Sequence, residues 1–273
     1  MSHFHDTHIN DPSRAASIPD HLLAKNQQAT PENIALFKSA KAGSMTGVLN
    51  AIDKGAKPDF FYNPEDSKNA LHVAAEEGYT DIVRELLKDG ACVDCIVLGS
   101  KDTALHLATR NQHTEVVKIL IDAGASCTAV NGYGNSALHE AIREDCEEIS
   151  ELLLAQGCDV NLPNHKGSTP FHFLCYHEQA TPGHLEFARK LVKHGADIHA
   201  RDGRGMTPFL VCCSSGREDL IDLLLEEGAD PTVRDGSGRS AHDIAEFHRH
   251  PHIMQRFTDE SPVHRFHTAF DRK

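Results

Sequence analysis

Four histidines recur at a nearly constant spacing and are the first residues that could do chemistry. They are separated by 34, 33 and 33 residues: His72, His106, His139 and His172. An imidazole can bind a transition metal or move a proton near neutral pH. If a fold aligned these rings on one face, they could form a row of metal ligands. The alternative is that each ring is structural, with its nitrogens paired to neighbouring polar groups.

A Cys-x-x-Cys pair is the second candidate for chemistry. It reads Cys92-Val93-Asp94-Cys95, but the sequence has no second pair of the kind that completes most zinc sites. The eight cysteines are scattered over a long chain, unlike those of a small disulfide-stapled domain. Several lie in apolar helical patterns, where cysteine packs as a small hydrophobic residue. We therefore expect no metal and no cofactor, and a reducing location in the cytoplasm, with the nucleus as a second location.

Motifs for known catalytic sites are missing from the sequence. Gly132-x-Gly134, Gly203-x-Gly205 and Gly236-x-Gly238 each begin like a dinucleotide-binding loop but lack its third glycine. There is no H-E-x-x-H, G-x-S-x-G or G-K-[ST] pattern. The glycine pairs are interpreted as turns, and the sequence predicts a protein that is not an enzyme.

The charge of the chain restricts its partners. Among 273 residues, 40 are acidic and 27 are basic, which gives a formal net charge of −13. Such a surface disfavours nucleic acid and anionic membranes, because phosphate binding requires clustered Lys and Arg. No apolar run approaches the roughly 18 residues of a membrane span, and the polar start does not read as a signal peptide. The expected partners are one or more proteins, with no nucleic acid and no membrane.

The elements that position these residues come from an internal repeat. Asn69-Ala70-Leu71-His72-Val73-Ala74 recurs, with changes, as segments beginning at Thr103, Ser136, Thr169, Thr207 and Ser240. A second marker, Gly followed by Ala or Cys, recurs in steps of 33 to 38 residues. Each repeat contains two short apolar-periodic segments, such as 104–110 and 115–123, that are too short to be stable alone. The repeats must therefore stack to bury their apolar faces.

These repeats resemble the ankyrin pattern T-P-L-H-x-A-A-x-x-G-H, followed by an apolar helix and G-A-D-V-N. One repeat reads Thr103-Ala104-Leu105-His106-Leu107-Ala108 and reaches Gly124-Ala125 after its second helix. The resemblance implies an all-α repeat fold, an ankyrin-repeat solenoid of stacked helix-turn-helix units with β-hairpin-like finger loops. It implies a polar segment over 1–30, an ankyrin domain over 31–257 with five clear and two atypical capping repeats, and a tail over 258–273. It also implies that the four repeat histidines are structural.

The same resemblance implies that the chain binds a partner protein on its concave and finger surface, as an adaptor, scaffold or regulator. The positions that correspond to contact residues in the family are Glu76, Glu77, Arg110, Asn111, Tyr133, Arg143, Glu144, His165, Lys166, Tyr176, His177 and Arg204. Other roles stay open: a substrate adaptor of a ubiquitin ligase, a transcription co-regulator, a pathogen effector, or the regulatory subunit of an enzyme.

Two long fingers add an apolar cluster to these candidates. The first two fingers are longer than the rest and carry Phe60, Phe61 and Tyr62, and then Ile96 and Leu98. Exposed apolar clusters on loops commonly mark partner sites. The alternative is that residues 1–30, with Leu22 and Leu23, cover the cluster.

The fifth repeat carries an insertion. Its step of 38 instead of 33 places five extra residues between its two helices, around 176–183. A longer turn could reshape a binding surface, or it could be neutral, since insertions in surface loops cost little.

Overall fold

The computed structural model describes residues 29–62, 68–177 and 182–257. They form two compact units that divide between Gly132 and Tyr133. Within the described residues every regular element is a helix, which confirms the all-α repeat. None of these helices is both long enough and apolar enough to cross a membrane.

The described residues of the first unit form three pairs of short helices joined by finger loops. In chain order they are α1 (Pro31–Lys41), α2 (Met45–Asp53), α3 (Ala70–Glu77), α4 (Thr80–Lys88), α5 (Ala104–Arg110) and α6 (Thr114–Asp122). The second helix of a pair buries one apolar stripe, as Val116, Val117 and Leu120 do in α6. In the atypical first pair, α1 buries Leu36 and Phe37, and the second helix buries Val48 and Ala51.

The second unit contains four helix pairs. They are α7 (Ala137–Arg143), α8 (Glu147–Ala155), α9 (Pro170–Tyr176), α10 (Pro182–Lys193), α11 (Pro208–Ser215), α12 (Glu218–Glu226), α13 (Ala241–Phe247) and α14 (Pro251–Arg256). The last pair closes the unit, because the Phe257 ring packs edge-on against Phe209 at 5.4 Å. Ile244 and Ile253 of the same pair are buried.

Polar caps fix where the first helix of each repeat begins. Thr169 is extended at the N-cap of α9, and Thr or Ser occupies the same place before α5, α7, α11 and α13. Such side chains satisfy the free N–H groups of the first turn. Among the described residues, the glycine that follows every second helix except α14 has a positive φ, for example 86° at Gly195, and ends the helix in the left-handed region.

Candidate protein-interaction surface

The repeat histidines bind backbone groups through both ring nitrogens. In the second unit, His172 Nδ1 accepts the N–H of Thr169 over 3.2 Å, and its Nε2 donates to the carbonyl of Met206 over 3.1 Å. His139 does the same with Ser136 and Ser168, and His72 in the first unit with Asn69 and Cys95. Each ring thus caps its own helix and ties it to the next finger.

Burial keeps the rings of His72 and His172 neutral. Desolvation lowers the pKa of His72 to about 4 and also lowers the pKa of His172. With Nδ1 accepting and Nε2 donating, neither ring has a nitrogen left for a metal or a proton. His106 is likewise fully buried, with Nδ1 facing Thr103. The structural interpretation therefore explains the spacing of these four residues.

A second set of residues ties each repeat back to the preceding one. His113 Nε2 donates to the carbonyl of Glu76 over 2.9 Å, and His250 Nε2 donates to that of Ser214 over 3.1 Å. The fully buried Arg217 takes the same place in its repeat. Sequence reasoning did not single out these residues, although all three lie nine residues after the first residue of the first helix of their repeat, at the position of the histidine in the G-H dipeptide.

His177 belongs to this set as well. Its Nε2 donates to the carbonyl of Ile142 over 2.8 Å, so the ring is held in the junction between two repeats. The role of His177 in partner contact stays a prediction.

The fingers of the second unit are built around buried Asn and Asp side chains. Asp202 Oδ1 accepts the N–H groups of Arg204 and Met206, each over 2.9 Å. Asn164 and Asp235 make the equivalent bonds in their own fingers. Because one oxygen orders both sides of the turn, each finger has a fixed shape, and the glycine pairs are turns as predicted.

Successive fingers are then joined by backbone hydrogen bonds. The N–H of Gly203 donates to the carbonyl of Lys166 over 2.7 Å, and that of Gly236 to the carbonyl of Arg204 over 2.8 Å. The N–H of His165 donates to the carbonyl of Tyr133 over 3.1 Å. This series holds the residues that follow each turn in register.

Several predicted contact residues are exposed on this finger row. Tyr133 is 72% exposed, and His165 and Lys166 are also exposed. The Arg204 guanidinium lies 5.8 Å from the centroid of the Tyr176 ring and hydrogen-bonds the Tyr176 hydroxyl. The structure therefore brings Tyr176 and Arg204 together on one rigid surface. Partial burial raises the pKa of the Tyr176 hydroxyl.

The end of α7 carries two further predicted contacts. Arg143 is exposed, and its guanidinium pairs with Glu140 over 2.6 Å and with Glu144 over 2.7 Å. The pairing fixes the arginine at the end of the first helix, as the sequence mapping requires.

The corresponding residues of the first unit are mostly paired with their own repeat. Glu76 forms an ion pair with Lys68 over 2.6 Å, and Glu77 is exposed. Arg110 binds both carboxylate oxygens of Asp102, and its neighbour Asn111 is exposed. These side chains are ordered at the surface, and their contact with a partner stays a prediction.

The first long finger exposes only part of the aromatic cluster that the sequence predicted, since Tyr62 is 36% exposed. Phe60 is only 4% exposed, so the expectation of a surface Phe60 is wrong. Tyr62 stacks on Phe37 of α1 with ring centroids 4.7 Å apart, and Phe61 is half-buried. Helix α1 packs against this finger. The alternative prediction was that residues 1–30, with Leu22 and Leu23, cover the aromatic cluster. This segment lies almost wholly outside the described residues.

The second long finger is more open. Leu98 is 47% exposed and Ile96 is half-buried, while the intervening Val97 is buried. The alternation follows from the finger turn, in which Lys101 N–H donates to the carbonyl of Val97 over 2.7 Å.

The insertion in the fifth repeat lengthens both the turn between α9 and α10 and helix α10 itself, whereas the spacing predicted extra residues only between the two helices. Residues 178–181 lie outside the described residues. Helix α10 has 12 residues, whereas α8 and α12 have nine each. His184, in the first turn of α10, is buried. His184 Nε2 lies 2.6 Å from Asp145 Oδ1 beside a cavity of about 150 Å³. Whether the insertion shapes a binding surface stays a prediction.

The free cysteines of the core follow the packing interpretation, whereas Cys127 and Cys158 are disulfide-bonded, which the sequence interpretation did not predict. Cys175, Cys212 and Cys213 are fully buried, and burial raises the pKa of the Cys212 and Cys213 thiols. A hydrogen bond between Cys92 and Cys95 lowers the pKa of Cys92 and raises that of Cys95. Among the described residues, no group of three or more His, Cys, Asp or Glu side chains is arranged to hold a metal ion.

Four residues on or beside the finger row escaped the sequence mapping. They are Arg201, Arg234, Arg239 and Phe247. Arg201 and Arg234 are one repeat length apart, 33 residues, and this periodicity is the signal that could have found them. Phe247 is 71% exposed at the end of α13.

Comparison with known proteins identifies the repeat. Models of ankyrin repeats match residues 92–164 and 151–235 (three copies) and residues 66–96 (one repeat). The crystal structure of the ankyrin repeat domain of Bcl-3, a member of the IkappaB protein family, superposes with a TM-score of 0.69 at 23% identity, covering 81% of this chain and 96% of that one. No curated protein matches. The matched repeats span more than half of the chain, which therefore belongs to the ankyrin repeat family, whose repeats are typically non-catalytic modules for binding other proteins.

Proposed function

We propose that this chain is a non-enzymatic adaptor, scaffold or regulator that binds a partner protein on its finger surface. The observation that carries the proposal is the finger row of the second unit, where Tyr133, Lys166 and Arg204 follow one another through backbone hydrogen bonds. Tyr133 is 72% exposed although it sits on an ordered turn. Tyr and Arg are the residue types most enriched among the energetically dominant contacts of protein interfaces.

The proposed mechanism is display on a preformed surface. Buried Asn164 and Asp202 fix the turns before any partner arrives. Because little backbone freedom remains to be lost, binding costs less conformational entropy than it would on flexible loops. We place this activity in the cytoplasm or nucleus on the basis of the sequence alone.

Affinity capture with matched surface variants tests the proposal. The test variant replaces Tyr133, Lys166 and Arg204 with Ser. The control variant replaces three exposed residues on or next to the second helices of the same unit, Glu148, Lys193 and Glu227, with Ser. Captured proteins are quantified by mass spectrometry, and both variants are checked by thermal unfolding.

We expect a stoichiometric partner of the unmodified protein to be lost from the test variant and kept by the control. Retention of every partner by a folded test variant, or equal loss from both variants, would show that the finger row is not the binding surface. Substrate turnover by the purified protein would contradict the non-enzymatic part of the proposal.

A further inference from the structure

The finger row of the second unit is basic, although the chain as a whole is strongly acidic. The finger segments 164–168, 199–206 and 233–240 contain five basic residues, listed in order as Lys166, Arg201, Arg204, Arg234 and Arg239. The side chains of Arg204 and Arg234 are 61% and 62% exposed. This contrasts with the formal net charge of −13. Positive charge is therefore concentrated on the surface that we propose for binding.

The acidic residues in these segments cancel only part of the charge of the row. The same three segments contain only Asp202 and Asp235 as acids, which leaves a formal balance of +3. Both aspartates are buried, at 7% and 6% exposure, and accept hydrogen bonds from the turns. Asp202 pairs with Arg204 over 3.1 Å and Asp235 pairs with Arg239 over 2.7 Å, so the net positive charge of the row is carried by Lys166, Arg201 and Arg234.

Two of the arginines are held in place mainly by backbone carbonyl groups. Arg201 Nη1 donates to the carbonyls of Gly205 and Arg234, each over 2.8 Å. Arg234 Nη1 donates to the carbonyl of Gly238 over 2.9 Å, and its nearest carboxylate, Asp243, is 3.9 Å away. Carbonyl oxygens carry no formal charge, so each guanidinium keeps its positive charge in a fixed position. An ordered guanidinium fork matches the geometry of a carboxylate.

Aromatic rings lie beside two of the arginines of the row. Arg204 packs near the ring of Tyr176, and Arg239 lies 5.9 Å from the centroid of the Phe247 ring. Phe247 is 71% exposed and presents an apolar surface next to a basic one. A ligand that fits this pattern carries carboxylates with apolar side chains among them.

We propose that the finger row of the second unit binds an acidic protein segment in which Asp or Glu residues alternate with large apolar side chains. This inference rests on the proposed function and names the chemistry of its partner. Charge complementarity selects the acidic residues, and Tyr176 and Phe247 receive the apolar ones. A protein segment fits better than nucleic acid, because the high negative charge of the rest of the chain repels a long polyanion, and the row offers few phosphate contacts.

Fluorescence anisotropy with short synthetic probes tests this inference. The probes are a set of labelled peptides with Asp or Glu alternating with Leu, Phe or Tyr, the matching peptides with Lys in place of the acids, and a single-stranded DNA oligonucleotide. The full chain is titrated against each at low and high salt. The test variant carries Arg201→Gln and Arg234→Gln. The control carries Arg189→Gln and Lys193→Gln, which remove the same charge from exposed positions on α10.

We expect acidic peptides to bind in a salt-sensitive way, and the test variant to bind them about tenfold more weakly while the control binds like the unmodified protein. A further variant with Lys at 201 and 234 keeps the charge and recovers part of the affinity, which separates charge from any loss of folding. Failure of every acidic peptide to bind, equal binding of the Lys peptides, or equal weakening in the control would overturn the inference. Stronger binding of DNA than of the acidic peptides would overturn it in favour of a nucleic-acid site.

The outcome is distinguishable from failure of the proposed function. If capture of a native partner requires Tyr133, Lys166 and Arg204 but is unaffected by the Gln pair at 201 and 234, the finger row binds protein and the acidic-segment inference is wrong.

Discussion

Arg217 donates a hydrogen bond from Nη1 to the backbone carbonyl of His177 over 3.0 Å, and it does so from a fully buried position. Asp219 receives the other side of the guanidinium, with bonds of 2.9 and 2.8 Å from Nε and Nη2. In two other repeats a histidine makes the corresponding bond to the preceding repeat. An arginine can take the place of these histidines because Asp219, two residues later in the chain, balances its buried charge.

Replacing Arg217 tests this arrangement. Arg217→Ala leaves the His177 carbonyl without its donor and removes the buried side chain, so we expect the free energy of unfolding to fall by about 2–4 kcal/mol. Arg217→His restores the donor used by the other repeats and is expected to lose less. Urea unfolding measures both. Equal losses in the two variants would show that the bond to His177 is not what Arg217 contributes.

His72 makes stability sensitive to mild acid. Its pKa is about 4 in the folded chain, below the value of about 6.5 for an exposed histidine. The unfolded state therefore takes up the proton first, so the contribution of His72 is complete above pH 6.5 and is lost as the pH falls towards 4. This difference corresponds to about 3 kcal/mol, and the lowered pKa of His172 acts in the same direction.

Unfolding measured between pH 7 and pH 4 compares His72→Gln with the exposed-site control His165→Gln. We expect a shallower loss of stability with acid in His72→Gln, and a lower stability at pH 7 by about 1–3 kcal/mol because the bonds to Asn69 and Cys95 are changed. Parallel pH profiles for the two variants would contradict this account.

The close approach of two fingers requires glycine at 203. A Cβ at Gly203 would lie 2.9 Å from the carbonyl oxygen of Lys166, which is backbone and cannot move freely. Gly203→Ala is expected to lower the free energy of unfolding by about 1–3 kcal/mol. Gly99→Ala is the control, since nothing lies within 4 Å of its Cβ position. Chemical denaturation of both proteins decides the point, and a neutral Gly203→Ala would mean that the finger row can adjust its register.

The two long fingers should respond differently to substitution. Phe60→Ala removes a buried ring and is expected to cost about 3–5 kcal/mol, whereas Leu98→Ala removes an exposed side chain and should change stability by less than about 0.5 kcal/mol. Thermal and urea melts give both values. A stable Phe60→Ala protein would return Phe60 to the list of candidate partner contacts.

The repeat, its helices and its caps could be predicted because local patterns determine them. Thr169 and His172 are three residues apart in one helical turn, so their mutual bonds are visible in the sequence itself. The burial of Phe60 could not be read in this way, because it depends on the packing of the first long finger beneath α1. The basic row was missed because Arg201 and Arg234 precede their turns, and the mapping considered only turn tips and first-helix ends.

The histidines and Arg217 connect each repeat to both of its neighbours, His172 forwards to Met206 and Arg217 backwards to His177. In the second unit, each of the hydrogen bonds described for these residues joins two neighbouring repeats. A force applied to the end of this unit would therefore break it one helix pair at a time, starting with α13 and α14, where His250 is the bond to the preceding repeat. Each rupture exposes the carbonyl of one repeat and leaves the remaining pairs with their own bonds intact. We therefore expect the helix pairs of the second unit to unfold one after another under an applied force.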